Sequence, residues 1–416
     1  MRYVIIGNSA AGNAAARAIR TSDPGGEVTL IGDEARPAYY RPLIPFLIDR
    51  ERPEADLFRD ELHLPQGVAL HLGRRATRID PSDKTVSLDD GQRVSYDQLL
   101  LATGSSAVRP PIVGVEDPGV FVLRQWDDAL AIRQAAVEAR RAVIAGGGPV
   151  AMKTAEALLR RGVSVTLVVS SPQILSQMLD DTAAGMVRQQ VEATGVCVIT
   201  GCDVMEIGRG SEGEEVVLST GQTLLAHLVV IGKGVVPNVE LARDAGIGVG
   251  GILVDKYLRT SIPDIYAAGD VVETADIVTG ESIVSGTWTN ATEMGRIAGE
   301  NMAGGVTEYE GAFKRLNALE VAGIPVIAVG VVDLPPDKGY QVYTSRRGDT
   351  YRKLVLRDNV LVGALLVGEI EGGGVFTGLI KRRADLGDLA RRLAEPRFSY
   401  APFLRLETAK AEAYAC

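Results

Sequence analysis

Apolar residues along this chain follow two alternating patterns. Short continuous apolar runs, such as residues 3–6 and 141–145, lead into longer segments where alanine and leucine recur at helical spacing. Continuous runs are typical of parallel strands buried on both faces, and the periodic segments are typical of the helices that cover them. The pattern predicts an α/β fold built on parallel sheets.

The first apolar run leads through a glycine-containing turn into an alanine-rich helix. This turn consists of Gly7, Asn8, Ser9, Ala10, Ala11 and Gly12. Such a turn brings backbone N–H groups and a positive helix end against a pyrophosphate. Ser9 replaces the middle glycine of the usual fingerprint, so an ordinary strand-to-helix connection remains an alternative for this segment alone.

Acidic residues follow the second predicted strand, residues 27–31. Asp33 and Glu34 lie about 20 residues beyond the glycine turn, where a dinucleotide fold places a carboxylate for ribose hydroxyls. Arg41, in a proline-rich apolar segment that follows, is a candidate donor to a phosphate. These residues favour the interpretation as a dinucleotide site over that of a solvated turn.

The strand, glycine turn and helix recur in the middle of the chain. Residues 141–145 lead into Gly146 and Gly148, and Ala151 stands at the last position of the fingerprint, where alanine is an accepted variant. Two such turns in one chain suggest two dinucleotides with electron transfer between them. A Pro/Gly-rich segment at residues 109–114 marks a candidate domain boundary.

The last hundred or so residues follow a different pattern. Residues 351–357 alternate in polarity, and Asp358-Asn359 is a hairpin-turn sequence before a second strand. This composition predicts a separate α+β domain.

Composition and charge narrow the function classes. The chain has 416 residues, 46% hydrophobic and 23% charged, with a net charge of −9, which argues against nucleic acid as a general partner. No apolar run reaches the roughly 18 residues of a membrane span, and the first strand leaves no room for a signal peptide. We therefore expect a cytoplasmic protein that binds no nucleic acid and no membrane.

Cysteine and histidine residues are few. Cys197, Cys202 and Cys416 form no C-x-x-C pair, and the chain has 3 histidines, so a metal centre or a dithiol is not expected. Cys197 lies in the apolar run 195–199, where we expect a small core residue.

The assembled motifs resemble the FAD-dependent pyridine nucleotide oxidoreductases. The most specific is Thr260-Ser261 followed by residues 264–270, which end in Gly269-Asp270; Ala102-Thr103-Gly104 and Val236-Pro237-Asn238 are further family marks. Tyr-x-Arg-Pro at residues 39–42 and the segment 351–368 point within the family to the NADH:rubredoxin oxidoreductases and the flavoprotein part of NAD(P)H nitrite reductases. The resemblance spans residues 3 to about 393.

The resemblance implies two Rossmann-like, three-layer dinucleotide-binding domains, the second inserted in the first. It places the FAD domain at residues 1–118 and 250–305, the NAD(P) domain at 119–249, a C-terminal α+β interface domain at 306–394 and a tail at 395–416.

The family also implies a set of site residues. The residues expected to bind FAD are Gly7, Ser9, Ala10, Ala11, Gly12, Asp33, Glu34, Arg41, Pro42, Ala76, Ala102, Thr103, Gly104, Arg124, Gly269, Asp270 and Thr287. Those expected to bind the nicotinamide nucleotide are Gly146, Gly148, Ala151, Ser170 and Gly232. Trp288 matches an aromatic that lies near the flavin or nicotinamide in several relatives; a core aromatic is the alternative.

Three departures from the family pattern are visible. The redox cysteine of disulfide-reducing members has no counterpart near Arg41, so electrons are expected to pass directly from flavin to an acceptor. Many relatives place a lysine at Phe46 and a glutamate at Lys153; we hypothesise that Lys153 supplies the positive charge beside the flavin, with a surface lysine as the alternative. Neither the glutamate of NAD users nor the arginines of NADP users follow Val169, where Ser170 stands instead.

The resemblance implies a flavoprotein reductase that passes hydride from NAD(P)H to FAD and then electrons to an acceptor, a small redox protein such as rubredoxin. Basic runs at residues 346–347, 381–383 and 391–392 are candidates for its docking, with solvated surface charge as the alternative. An NAD(P)H oxidase or peroxide reductase, and a flavin subunit of a larger complex with altered nicotinamide binding, remain alternatives. A homo-oligomer is also possible within this family.

Overall fold

The computed structural model describes residues 1–393 except 249, 334–338 and 388. It contains two compact units. The first comprises Met1–Gln177 and Val187–Lys314, and the second comprises Met178–Met186 and the chain from Arg315 onward. Within the described residues, no helix is both long and apolar enough to span a bilayer.

The first unit holds most of the secondary structure. Its strands are β1 (Arg2–Ile6), β2 (Glu27–Gly32), β3 (Val68–Leu72), β4 (Ala76–Asp80), β5 (Thr85–Leu88), β6 (Arg93–Ser95), β7 (Gln98–Leu101), β8 (Ser105–Ala107), β9 (Val120–Val122), β10 (Arg141–Ala145), β11 (Ser164–Val169), β12 (Cys197–Thr200), β13 (Val204–Gly210), β14 (Gly213–Leu218), β15 (Thr223–Ala226), β16 (Leu228–Ile231), β17 (Val235–Pro237), β18 (Ile252–Leu253), β19 (Ile265–Ala267), β20 (Val272–Ala275) and β21 (Ser282–Val284). Its helices are α1 (Ala10–Ser22), α2 (Phe46–Asp49), α3 (Trp126–Ala135), α4 (Pro149–Arg160), α5 (Asp181–Ala193), which begins in the second unit, α6 (Glu240–Asp244) and α7 (Trp288–Met302).

Two parallel sheets organise this unit. The first has the strand order β19-β7-β1-β2-β3 and the second the order β12-β11-β10-β16-β9. The chain leaves the first sheet after β7 and returns to it at β19, and the second sheet is formed in between. The predicted fold class, with one Rossmann-like domain inserted in another, is confirmed.

Helix α1 packs closely on helix α7 because glycine occupies the contact positions. A Cβ atom on Gly295 would lie 2.1 Å from the Ala11 carbonyl oxygen, and one on Gly299 would lie 2.5 Å from that of Ala15. Only glycine allows two helix backbones to approach this closely. The contact fixes the start of α1 relative to α7.

The second unit is an antiparallel sheet with helices. Its remaining elements are β22 (Leu316–Val321), β23 (Ile324–Gly330), β24 (Tyr340–Arg347), β25 (Thr350–Arg357), β26 (Val360–Val367), α8 (Gly373–Lys381) and α9 (Leu389–Leu393). The strand order is β22-β23-β26-β25-β24. Asp358 and Asn359 have φ values of 50° and 63°, as a two-residue hairpin turn requires, and this predicted turn is confirmed.

The expectation of a buried Cys197 is wrong. Cys197 is exposed at the start of β12, which is the outermost strand of its sheet, whereas Cys202 is buried. Val196 and Val198 on either side are buried instead. Because side chains alternate along a strand, an apolar run in an edge strand still turns every second residue to the surface.

Candidate functional site

The first glycine turn lies where β1, β2 and β7 end together. Gly7 has φ 128°, and a Cβ atom there would lie 1.9 Å from the Ala102 carbonyl oxygen. The Gly7 N–H donates to the Ile31 carbonyl oxygen at 2.8 Å. The turn therefore requires glycine, and it directs the chain through Ser9 into the N-terminus of α1.

A half-buried cation lies at the start of α1. Arg41 Nε donates to Ser9 Oγ at 3.2 Å, and the Arg41 side chain is 20% exposed. The first helical turn, Ala10 to Gly12, carries no side-chain charge of its own. A helix N-terminus bears about half a positive charge, so it attracts an anion, and a guanidinium beside it adds charged hydrogen-bond donors. The turn and Arg41 fit a pyrophosphate group.

Glu34 and Tyr39 hold this arginine in place. Tyr39 donates its hydroxyl hydrogen to Glu34 Oε2 at 2.6 Å, and Arg41 Nη1 donates to the Tyr39 hydroxyl at 3.0 Å while Nη2 pairs with Glu34. Burial alone lowers the pKa of Arg41, but Tyr39 and Glu34 outweigh it and raise that pKa above its ordinary value. Burial has the opposite effect on the Tyr39 phenol, whose pKa it raises.

The two acids that follow β2 thus have different surroundings. Glu34 is 17% exposed and engaged by Arg41, whereas Asp33 is 50% exposed and lies 3.7 Å from Arg75. Of the two acids, Asp33 is therefore the more exposed, and Glu34 is held in its ion pair with Arg41.

A second charged cluster forms around Asp270. This residue follows Gly269, whose φ is 85°, and its Oδ2 accepts hydrogen bonds from Arg124 Nη2 and Ser105 Oγ, each at 2.8 Å. Arg124 Nε also donates to the Ser105 carbonyl oxygen at 2.9 Å. Arg41 Nη1 donates to the Arg124 carbonyl oxygen at 3.2 Å, so the two clusters are joined.

Sequence reasoning missed Ser105 in this cluster. The sequence feature that could have identified Ser105 is its position directly after Ala102-Thr103-Gly104. Thr103 Oγ1 donates to the Asn238 carbonyl oxygen at 2.8 Å, and Asn238 Nδ2 donates to the Thr103 carbonyl oxygen at 2.9 Å. Gly104 has φ 70°, and the space where its Cβ would lie is open. The triplet is therefore held by Asn238, and Ser105, which follows it, donates to Asp270.

Aromatic residues meet at the start of α7. Thr287 caps this helix by accepting a hydrogen bond from the Asn290 N–H, and the Trp288 ring centroid lies 4.5 Å from that of Tyr40. The Arg59 guanidinium lies 4.0 Å from the Tyr40 ring centroid. Trp288 is half-buried against Tyr40, so it is not a fully enclosed core aromatic.

Two other predicted residues, Pro42 and Ala76, form none of the side-chain hydrogen bonds described above. Pro42 is exposed in the 3₁₀ turn Arg41–Leu43, next to Arg41. Ala76 begins β4 and pairs with Leu88.

The second glycine turn repeats the geometry of the first. Gly146 has φ 146°, and a Cβ there would lie 2.2 Å from the Gly232 carbonyl oxygen. Gly148 precedes α4, and a Cβ on it would enter open space. A Cβ on Gly232 would lie 3.2 Å from that of Ala151, which is buried. The end of β10, the end of β16 and the start of α4 therefore meet as a dinucleotide site requires.

Lys153 lies on α4 beyond this turn. Its Nζ pairs with Glu156 Oε2 at 2.8 Å, and the two side chains are 19% and 17% exposed. Lys153 is thus half-buried in an ion pair and is not a freely solvated surface lysine.

Two family models match the chain. The model described as pyridine nucleotide-disulphide oxidoreductase matches residues 1–295, and that described as rubredoxin NAD+ reductase C-terminal domain matches residues 316–384. Together they cover both glycine turns and the antiparallel sheet.

Individual proteins are similar over most of their length. The chain is 34% identical over 399 residues to the NADH-dependent phenylglyoxylate dehydrogenase subunit epsilon of Aromatoleum evansii, covering 94% of each. It is 31% identical over 309 residues to the rubredoxin-NAD(+) reductase of Pseudomonas putida, covering 73% of this chain and 80% of that one. The structure of a NAD-dependent persulfide reductase from A. fulgidus matches with a TM-score of 0.88 at 28% identity, covering 96% and 80%.

Proposed function

The chain belongs to the pyridine nucleotide-disulphide oxidoreductase family, and from that membership we propose that it passes reducing equivalents from a nicotinamide dinucleotide through FAD to a small redox protein. The observation that carries the proposal is the presence of two dinucleotide cradles in one unit, at Gly7–Gly12 and Gly146–Ala151. FAD, the typical flavin of this family, accepts two electrons and can release them singly.

We assign the first cradle to FAD. Ser9 and the first turn of α1 would bind the pyrophosphate together with Arg41, and Asp33 would accept a ribose hydroxyl. Asp270 would hold the ribitol, with Arg124 and Ser105 fixing its carboxylate. Trp288 and the start of α7 would lie at the flavin ring. For the three domains we propose the same bounds that the family resemblance implies.

The acceptor is proposed to receive electrons directly. All three cysteines of the chain lie at or beyond Cys197, so the segment around Arg41 contains no thiol that could relay them. Of the described cysteines, Cys197 is exposed on β12 and Cys202 is buried near the end of that strand. A disulfide relay is therefore not part of the proposal.

Two exposed basic runs on the second unit support an acidic protein as the acceptor. Arg346 and Arg347 are exposed at the end of β24, and residues 381–383 are exposed at the end of α8. Since the chain as a whole has a net charge of −9, a local basic surface would be needed to attract an acidic partner. The proposal includes a cytoplasmic location, which cell fractionation tests.

Reduction of an acidic acceptor by the FAD-loaded protein tests this function. Oxidised rubredoxin and a plant-type ferredoxin are each mixed anaerobically with the protein and NADH or NADPH, and the acceptor's absorbance is followed. We expect rapid reduction of at least one, with a second-order rate that falls with salt and falls further in Arg346→Glu/Arg347→Glu. Arg78→Glu/Arg93→Glu, which makes the same change in charge at two exposed arginines of the first unit, is the matched control. Oxygen consumption that outpaces reduction of every acceptor would instead indicate an oxidase.

A second candidate is a flavin subunit of a larger enzyme. The 34% identical relative is named as a subunit of a dehydrogenase, and the two chains match over 94% of their lengths. In that case the purified chain would reduce no free acceptor, and affinity purification at native abundance would recover stoichiometric partner subunits.

A further inference from the structure

The end of β11 is where a dinucleotide-binding domain distinguishes NADH from NADPH. An acidic side chain there usually accepts a hydrogen bond from the ribose 2′-hydroxyl, or a nearby arginine binds the 2′-phosphate. In this chain β11 ends at Val169 and is followed by the exposed, uncharged Ser170. A Cβ on Gly147 would lie 2.6 Å from the Val169 side chain, so this strand end abuts the glycine turn.

A carboxylate from the chain that follows β12 lies beside the end of β11. After β12 the chain turns at Gly201, whose N–H donates to the Ser171 carbonyl oxygen at 2.9 Å, and the Cys202 N–H donates to the Val169 carbonyl oxygen at 3.2 Å. These bonds bring Asp203, the next residue, beside the end of β11. Asp203 N–H donates to Ser219 Oγ at 3.1 Å, and its side chain is 46% exposed. The carboxylate is therefore both fixed and accessible.

Lys233, which follows β16, also lies beside the end of β11. Its Nζ lies 2.5 Å from Asp203 Oδ1 and 3.5 Å from Ser170 Oγ, although it is separated from both by many residues in sequence. Its side chain is only 16% exposed. Lysine side chains are rarely buried unless they are paired with an acid. The ion pair with Asp203 therefore explains why the Lys233 side chain can be largely buried.

We propose that Asp203, held by Lys233, replaces the missing acid at the end of β11 and makes the second cradle selective for NADH over NADPH. The proposal rests on the nicotinamide dinucleotide binding proposed above. Asp203 would accept a hydrogen bond from the 2′-hydroxyl of the bound nucleotide, and Ser170 would lie beside it. A 2′-phosphate would be repelled by the Asp203 carboxylate. The ammonium of Lys233 would not offset this repulsion, because its charge is already neutralised by Asp203.

The arrangement makes opposite predictions for its two charged members. Asp203→Asn keeps the shape and the Oδ1 acceptor but leaves the ammonium of Lys233 unmatched, so that it can attract a 2′-phosphate. A charge-assisted hydrogen bond typically changes affinity by about tenfold or more. We therefore expect the ratio of NADP+ to NAD+ affinity to rise about tenfold or more in Asp203→Asn.

The test measures dissociation constants of NAD+ and NADP+ for the oxidised, FAD-loaded protein by calorimetry, independently of turnover. The wild type should bind NAD+ more tightly, and Asp203→Asn/Lys233→Met should lose the gain for NADP+ seen in Asp203→Asn. Ser170→Asp, at an exposed site, should restore NAD+ preference to Asp203→Asn. Glu192→Gln, which breaks an exposed ion pair on α5, is the matched control and should leave the ratio unchanged.

The possible results separate this inference from the proposed function. A ratio that stays within about twofold in Asp203→Asn, or a wild type that prefers NADP+, overturns the inference alone while leaving nucleotide binding intact. If neither nucleotide binds, the proposed function fails and the inference fails with it. Should Asp203→Asn not fold, Ser170→Asp in the wild-type background still has to weaken NADP+ binding further, and no change would overturn the inference.

Discussion

Replacing Gly295 by alanine should loosen the FAD site through the contact between two helices. The new Cβ would lie 2.1 Å from the Ala11 carbonyl oxygen, whereas real Cβ contacts essentially never fall below 3.0 Å, so α1 and α7 must separate by about 1 Å. Overpacking of this kind costs about 1–3 kcal/mol, against which the higher helix propensity of alanine returns about 1 kcal/mol. Ala11 lies in the first turn of α1, so the displaced backbone is the part assigned to the pyrophosphate.

Two matched variants separate the effects on stability and on FAD. Gly299→Ala makes a similar contact, 2.5 Å from the Ala15 carbonyl oxygen, one turn farther from the helix start, so it should destabilise the protein with a smaller loss of FAD affinity. Gly185→Ala, at an exposed helical glycine with open space around it, should stabilise by about 0.5–1 kcal/mol.

Urea unfolding of the apoprotein and FAD titration followed by flavin fluorescence measure the two quantities. We expect Gly295→Ala to lower the free energy of unfolding by up to about 2 kcal/mol and to weaken FAD binding at least about tenfold, because a positioning error of about 1 Å is costly at a preorganised site. A Gly295→Ala protein with unchanged stability and unchanged FAD affinity would refute the reasoning.

Three further predictions concern charged residues. Arg41→Gln should weaken FAD binding about tenfold or more, measured by equilibrium dialysis, because it removes the half-buried cation at the start of α1, whereas Arg36→Gln, at a more exposed arginine nearby, should not. Lys153→Met should lower the flavin midpoint potential, measured by dye equilibration, because it removes a half-buried positive charge and leaves its carboxylate partner unmatched; an unchanged potential would contradict a role for Lys153 at the flavin. The hydrogen bond from Arg2 lowers the pKa of Asp97 from 3.8 to about 2, so this carboxylate stabilises the fold above about pH 4 and the stabilisation is lost as the pH falls toward 2. The difference in unfolding free energy between wild type and Asp97→Asn should therefore shrink from about pH 6 to about pH 3, and a constant difference would contradict it.

The parallel sheets and both cradles could be predicted because their signals are local. A continuous apolar run, a glycine turn and a helix occupy neighbouring positions, so Gly7 and Gly146 marked their sites before any contact was known. The repetition of the motif suggested two dinucleotide sites. The insertion of one domain in another, which the family resemblance implied, is confirmed by the pairing of β19 with β7.

The details of the sites depend on contacts between residues far apart in sequence. Ser105 joins Arg124 and Asp270 only because β7 and β19 are neighbours in the sheet. Lys233 and Asp203 meet only because the carboxyl ends of β16 and β12 lie on the same side of the parallel sheet. No pattern along the chain predicts such pairs.

The orientation of individual side chains was the second feature that could not be predicted from the sequence. The apolar run around Cys197 predicted burial correctly for Val196 and Val198 but not for the cysteine, because its strand lies at the sheet edge. Edge or centre is decided by strand order, which depends on long-range pairing. Likewise, only the structure shows that Glu34 is engaged by Arg41 while Asp33 is half exposed.

Anaerobic titration of the purified, FAD-loaded protein with NADH, and separately with NADPH, tests the central claim most directly. We expect NADH to bleach the visible flavin absorption with about one equivalent and NADPH to do so with lower affinity. Both reactions should weaken when Gly148, at the open side of the second cradle, is replaced by valine. A flavin spectrum that neither nucleotide changes would contradict the claim that this chain transfers electrons from a nicotinamide dinucleotide to its flavin.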